Sequence, residues 1–332
     1  MTAARVPMRY EATTSTAAPA WTEAGTKTPL SPRVRLLHCT RYRYDRPVWL
    51  SAHDIRLRPV PQARTPIESY ALRITPAQHE LKWHHDVYGN WVASVLFSHP
   101  TPVLSIEVEF VATLAEVNPF DFSIAGDACQ FPFAYSDADR HGLMSYLATE
   151  APGPRLRAWL ERMRKRLLAS SIDTVEFLVP ANRWIADDVR YVPRVEPGIQ
   201  DCEQTLAAGS GSCRDSARLL MQVLRHAGIA ARFVSGYLVE LAQSGGKQPG
   251  EEAQDNLALH AWCEAYLPGA GWIGLDPTSG LLAAEGHIAL ACAALPESAA
   301  AVSGSTEKVG SDLSFEMRAV RLMPIGRAAG GR

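Results

Sequence analysis

Apolar and polar residues alternate with period two from residue 34 to about residue 113, and the repeat lengthens to a helical one beyond residue 151. A β-rich part followed by a mixed part is the simplest reading. Arg35, Leu37 and Cys39 alternate with Leu36, His38, Thr40, Tyr42 and Tyr44, a strand whose two faces are hard to rank. Further strand-like runs cover 55–58, 70–75, 80–85, 91–97 and 103–113, punctuated by Pro59-Val60-Pro61, Thr75-Pro76, Tyr88-Gly89-Asn90 and His99-Pro100. This pattern predicts an antiparallel β domain over 33–115. Residues 1–32, rich in Ala, Thr, Ser and Pro, carry neither period and read as a disordered lead-in.

A connection over 116–150 ends at Ala151-Pro152-Gly153-Pro154, and a core is expected over 151–290. Leu156, Trp159, Leu160, Met163 and Leu167 form an apolar helical stripe, with Arg157, Glu161, Arg164, Lys165 and Arg166 mostly on the solvated side. A second helix over 175–185 is expected to be interrupted near Pro180. Ala217, Leu220, Met221 and Leu224 recur at i, i+3, i+4 and i+7, with Gly228 as the residue that ends the helix. A strand over 229–239 and a polar excursion over 243–256 follow. Strands over 259–267 and 272–275, parted by Pro268-Gly269-Ala270-Gly271, read as a hairpin. The tail 291–332 is Ala-rich, with a last strand near 315–322.

Cys213 ends the small-residue run Ala208-Gly209-Ser210-Gly211-Ser212 where the strongest helical pattern begins. The first N–H groups of a helix lack partners and the helix dipole is positive there, so a thiolate at that point is stabilised and becomes a nucleophile. The glycines let a substrate or another backbone come close, which makes Gly211 and Ser212 groove candidates. A nucleophilic thiol needs a base, and the base needs an orienting group. His260 opens the first strand of the hairpin and Asp276 closes the second. In an antiparallel pair that sets Tyr266 opposite Trp272, Asp276 lies diagonally beside His260; a register shifted by one residue would part them. Cys263, three residues from His260, points to the other face and packs with Ala261 and Ala265. Trp262 shares the His260 face and is a wall candidate, as is Tyr237; Glu264 is read as a solvated strand residue.

Length and composition narrow the setting. At 332 residues the chain is long enough for about two domains. Its 33 basic and 35 acidic side chains leave a formal charge of −2, which gives no reason to expect a nucleic acid or an anionic membrane as partner. No apolar run is long enough to span a bilayer, and the N-terminus lacks a signal-peptide core, so a cytoplasmic location is expected. The six cysteines are scattered without a CxxC pair, which fits a reducing compartment. Trp83-His84-His85-Asp86 is the nearest thing to a metal motif, but neighbouring strand residues point to opposite faces. Neither a metal nor a cofactor is expected.

Gly211-Ser212-Cys213-Arg214-Asp215-Ser216-Ala217-Arg218, Ala231-Arg232-Phe233-Val234-Ser235-Gly236-Tyr237, His260-Ala261-Trp262-Cys263-Glu264 and Gly271-Trp272-Ile273-Gly274-Leu275-Asp276-Pro277-Thr278 resemble the bacterial transglutaminase-like core. Tyr42-Arg43-Tyr44, Pro47-Val48, Arg56-Leu57-Arg58-Pro59 and Asp86-Val87-Tyr88-Gly89-Asn90 resemble the β region that commonly precedes it. The resemblance implies an α+β chain, an N-terminal antiparallel β domain followed by a papain-like core of helices packed on an antiparallel sheet. It also implies Cys213 as nucleophile, His260 as base and Asp276 as orienter, acting by acyl transfer or by amide or peptide hydrolysis through a thioester. A peptide or protein substrate bearing Gln or another amide follows. Cys213-Arg214-Asp215-Ser216 departs from the commoner form with Gln, Asp and Phe after the cysteine. Together with the stretch from Gly280 to Ile288, it looks like the front of a larger bacterial protein, and a separate partner could replace the later region. The competing reading is a non-catalytic module that keeps the fold and holds a peptide.

Overall fold

The computed structural model describes residues 31–167, 172–194, 196, 198–242 and 255–323. The expected lead-in and most of the polar excursion lie outside these residues. Six strands make the N-terminal part: β1 (Arg33–Val48), β2 (His53–Ile55), β3 (Ile67–Thr75), β4 (His79–His85), β5 (Trp91–Phe97) and β6 (Thr101–Thr113). The faces of β1 separate cleanly, with Val34, Leu36, His38 and Thr40 buried and the odd positions more open. β2 lies earlier than the expected 55–58 and shares only Ile55 with it, because the chain leaves the sheet ahead of Pro59 and Pro61, which have no N–H to give a ladder.

After two short helices (Asp137–Gly142 and Met144–Leu147) come the helices of the core: α1 (Pro154–Leu167), α2 (Thr174–Asp188), α3 (Cys202–Ala208) and α4 (Cys213–His226). α2 runs unbroken through Pro180, against the expected interruption. Its Asp173 cap accepts from Val175 and Glu176, and burial of Phe177, Leu178, Ala181 and Ile185 outweighs the roughly 3 kcal/mol that an internal proline costs. α4 is the central helix, with Ala217, Leu220, Met221 and Leu224 all buried, and Gly228 takes φ +84° where it ends.

β2, β5 and β4 form a sheet of their own, apart from the one that holds β1, β6 and β3, and the core sheet contains β7 (Ala231–Glu240), β8 (Asn256–Leu267), β9 (Gly271–Asp276), β10 (Leu281–Leu282) and β11 (His287–Ala293), in the order β10-β9-β8-β7-β11. Its Ala231, Phe233, Ala261, Cys263, Ala265 and Ile273 join α1, α2 and α4 in one core. A final strand, β12 (Ser311–Leu322), returns to the first sheet and pairs along β1 from Tyr44↔Ser311 to Arg33↔Leu322, giving the order β12-β1-β6-β3. Among the described residues no helix is long and apolar enough to cross a membrane.

The core sheet meets the N-terminal sheets around Tyr237, Val239, Leu257, Ile288 and Leu290, which pack with Leu36, Ile106 and Phe110 and join one cluster with Ala93 and Val95. His38 sits in this junction, its Nδ1 2.6 Å from the Tyr237 hydroxyl and its Nε2 2.7 Å from that of Thr40. Burial lowers its pKa to about 4. An unfolded chain takes up this proton near pH 6.5, so the stability His38 contributes is present above that pH and lost as pH falls towards 4. The shift corresponds to on the order of 3 kcal/mol. Urea unfolding of the wild type is therefore expected to weaken steeply between pH 6.5 and 4.5, and His38→Gln to flatten that slope. An equally steep variant would clear His38 of the effect.

Candidate active site

α4 begins at Cys213, so the thiol stands on the first turn, where backbone N–H groups lack intrahelical acceptors. The turn is built by Asp215. Its Oδ2 accepts from the Ser212 backbone N–H and hydroxyl, both at 2.8 Å, and from Arg194 Nη1 at 2.7 Å, while its Oδ1 accepts from Gln200 N–H at 2.7 Å. Asp215 is buried, and burial opposes its ionisation, but these four donors hold its pKa below the ordinary value. A Cβ on Gly211 would stand 2.9 Å from Asp215 Cβ, so the bare backbone lets this carboxylate in. Gly211 and Ser212 thus shape the helix start, and the Ser212 hydroxyl is committed to Asp215 rather than facing a groove.

β8 and β9 pair in the register that sets Tyr266 against Trp272, and this brings Asp276 Oδ2 to 3.1 Å from His260 Nε2. His260 lies inside β8, four residues beyond its start, rather than opening the strand. The two side chains form an ion pair, both of them buried. The Cys213 thiol lies close enough to the same ring to act on its charge. Burial by itself would lower the His260 pKa, but Asp276 and Cys213 together outweigh it and push it up to about 10. Asp276 is buried too, and its ionisation is opposed by that burial, yet His260, His287 and the Thr278 N–H at 2.8 Å hold it well below the usual carboxylate range. Ser279 donates to the same Oδ2 at 3.1 Å.

His287 completes the group and was not picked out from the sequence. Its Nε2 is 3.4 Å from Asp276 Oδ2, and its ring stands edge-on to Trp262 with centroids 5.2 Å apart. The nitrogens of His260 and His287 and an Asp276 oxygen lie within 4.8 Å of one another, as a metal would require. The Ala284 N–H, however, donates to His287 Nδ1 at 3.2 Å. A nitrogen that accepts carries no proton, so the proton is assigned to Nε2, which donates to Asp276 and has no lone pair for a metal. His287 therefore steadies the carboxylate. His287→Ala is expected to lower turnover by about 10- to 100-fold, the worth of one hydrogen bond to a buried charge. His287→Gln, which can still donate, should recover most of it, and equal losses in the two variants would refute the role.

Trp262 is fully buried beneath His260 and His287, so it is a floor rather than an open wall. A methyl group at Gly236 would run into its ring. Tyr237 is corrected outright. Its neighbour Gly236 pairs with His260, so Tyr237 turns to the opposite face, fully buried against His38 and Phe110. Glu264 is not solvated either: it pairs with Arg232 at 2.6 Å, and that guanidinium lies over the Trp272 ring at 4.3 Å. Cys263 is buried among Ala261, Ala265 and α4. Tyr191, half exposed, was not singled out from the sequence. It pairs with Gly211 in a two-residue parallel ladder, and its pKa is raised by burial first and by nearness to Cys213 second.

Residues 34–113 match the bacterial transglutaminase-like N-terminal region, and residues 162–277 match the transglutaminase-like superfamily. An uncharacterized protein of Mycobacterium tuberculosis is 28% identical over 265 residues, 77% of this chain and 82% of the relative. A protein-glutamine gamma-glutamyltransferase of Pseudomonas aeruginosa is 39% identical over 71 residues, 21% of this chain and 10% of that protein. Among solved structures, a protein of Cytophaga hutchinsonii described as a candidate cysteine protease superposes with a TM-score of 0.61 at 17% identity, over 89% of this chain and 92% of that one. That likeness shows the fold.

Proposed function

For a chain that belongs to the transglutaminase-like superfamily through its core and carries the bacterial transglutaminase-like region ahead of it, we propose acyl transfer or amide hydrolysis through a thioester on Cys213. The observation that carries this reading is the convergence of Cys213, His260 and Asp276, with Asp276 buried and held ionised at the far side of the imidazole.

In the first step the Cys213 sulfur, as thiolate, attacks the carbonyl carbon of a Gln side chain or peptide, and the carbonyl electrons move to oxygen. The Cys213 backbone N–H, on the first turn of α4, supplies one donor to that oxyanion. Imidazolium His260 passes its proton to the departing nitrogen, the C–N bond breaks, and ammonia or an amine leaves a thioester. His260 then takes a proton from water or from an acceptor amine, whose attack breaks the C–S bond and restores the thiolate. Asp276 stays charged throughout and holds the ring. The reading includes a peptide or protein substrate and a cytoplasmic setting that keeps the thiol reduced.

A panel of Gln-containing and other amide peptides, with and without a primary amine, tests this. Ammonia release or cleavage by the wild type is expected, with amine incorporation if the second step admits one. A panel on which the wild type is no faster than Cys213→Ala would overturn the proposal in favour of a peptide-holding module.

A further inference from the structure

Arg58, at the end of the short passage from β2 into the Pro59-Val60-Pro61 turn, is held by rings rather than by acids. Its guanidinium carbon lies 4.3 Å from the Trp91 ring centre and 5.4 Å from those of Tyr70 and Trp83. These rings brace each other edge-to-face, Tyr70 against Trp83 at 6.0 Å and Trp83 against Trp91 at 6.1 Å. Among the described residues no carboxylate, carbonyl or hydroxyl accepts a hydrogen bond from Arg58. The neighbouring acids are otherwise engaged: Arg56 takes Asp54 and Asp86, and Arg33 and Thr113 take Glu68. A half-buried arginine with five unused donors is unusual, because such a charge normally finds an acceptor.

The arginine opens onto a cleft of about 410 Å³ lined by the 59–67 turn, Glu68, Ser69, Tyr70 and Trp91. The Tyr70 hydroxyl is buried at its side and has no hydrogen-bond partner. Burial raises the Tyr70 pKa, so the group stays a neutral O–H donor at any physiological pH. Stacking fixes the plane of the guanidinium and leaves its edge free, the arrangement in which arginine grips an oxyanion with two parallel N–H bonds. The turn that walls the cleft is tied to β11 and the loop ahead of it, Val60 N–H to Ala289 O at 3.0 Å and the Thr65 hydroxyl to Glu285 O at 3.1 Å. Val60 itself packs on Trp262, beneath the catalytic histidine.

We propose that this cleft is a binding site for an oxyanion group, a carboxylate or a phosphate, held by Arg58 and the Tyr70 hydroxyl. It is separate from the thiol centre and does not depend on the acyl-transfer reading. The one carboxylate in its lining, Glu68, is neutralised by Arg33, which leaves the cleft open to an anion.

The test is calorimetric titration at constant ionic strength with two probes, inorganic phosphate and N-acetylglutamate, each added to the wild type and to Cys213→Ala. Saturable binding of at least one probe, equal in the two proteins, is expected, and the probe preferred tells which source of oxyanion the cleft suits. Arg58→Gln should weaken it at least tenfold, Arg58→Lys less, and Tyr70→Phe severalfold, while thermal unfolding of the unliganded variants reports whether they fold. If Arg58→Gln does not fold, Arg58→Lys and Tyr70→Phe decide. Binding of neither probe below 10 mM, or binding indifferent to all three substitutions, would overturn the proposal.

Discussion

On the proposed mechanism, Cys213→Ala is expected to abolish alkylation by iodoacetamide at pH 6 and all turnover, and His260→Gln to lower turnover by on the order of 10⁴-fold or more while leaving the fold in place. The size expected of the second effect follows from the two jobs the proposed mechanism gives one ring, pairing with the sulfur before attack and giving its proton to the departing nitrogen afterwards. With a pKa near 10, His260 is an imidazolium throughout the neutral range, and its charge beside Cys213 is lost only as pH rises through that value. Alkylation at pH 6 by wild type and His260→Gln separates pairing from simple accessibility. Without His260 beside it the sulfur loses the positive charge that favours its attack, so labelling of the variant should be slower than that of the wild type. Equal labelling of the two proteins at pH 6 would sink the ion-pair account. The same raised pKa makes stability from His260 present below about pH 6.5 and lost as pH rises towards 10, opposite in sign to His38.

Asp215→Ala costs about 3–5 kcal/mol of stability, the range for removing one partner of a buried ion pair. The carboxylate is wholly buried, and its removal leaves Arg194 and the Ser212 and Gln200 backbone donors without their acceptor. Because these donors define the turn into α4, turnover is expected to fall as well, even in the folded fraction. Denaturant unfolding at pH 7 checks the first part; a loss below about 1 kcal/mol would mean that water replaces the carboxylate without penalty.

The thiol, its helix and the hairpin were legible because they are local. A three-residue turn, 268–270, fixes the register of β8 on β9, so the parity of His260, Asp276 and Cys263 carries from sequence to space. β7 and β8 are separated in sequence by residues 241–255, too long a span for a turn rule to set a register, so parity does not carry across it. That is why Tyr237 was placed on the wrong face and Glu264 was left without Arg232. His287 escaped for a related reason: β11 pairs with β7 at the far edge, so neither period nor spacing points it at Asp276. A histidine heading the buried apolar run Ile288-Ala289-Leu290-Ala291 was the available signal. The unbroken α2 shows tertiary burial overriding a local rule.

The pairing of β12 along the whole of β1 means that order of synthesis and order of assembly do not match. When the first six strands leave the ribosome, one edge of β1 has nothing to pair with, and it stays open until residue 322 has emerged, some 290 residues after Arg33 was made. The sheet that is first in the chain is thus the last to be finished, and during that interval a bare 12-residue edge is offered to any other strand nearby.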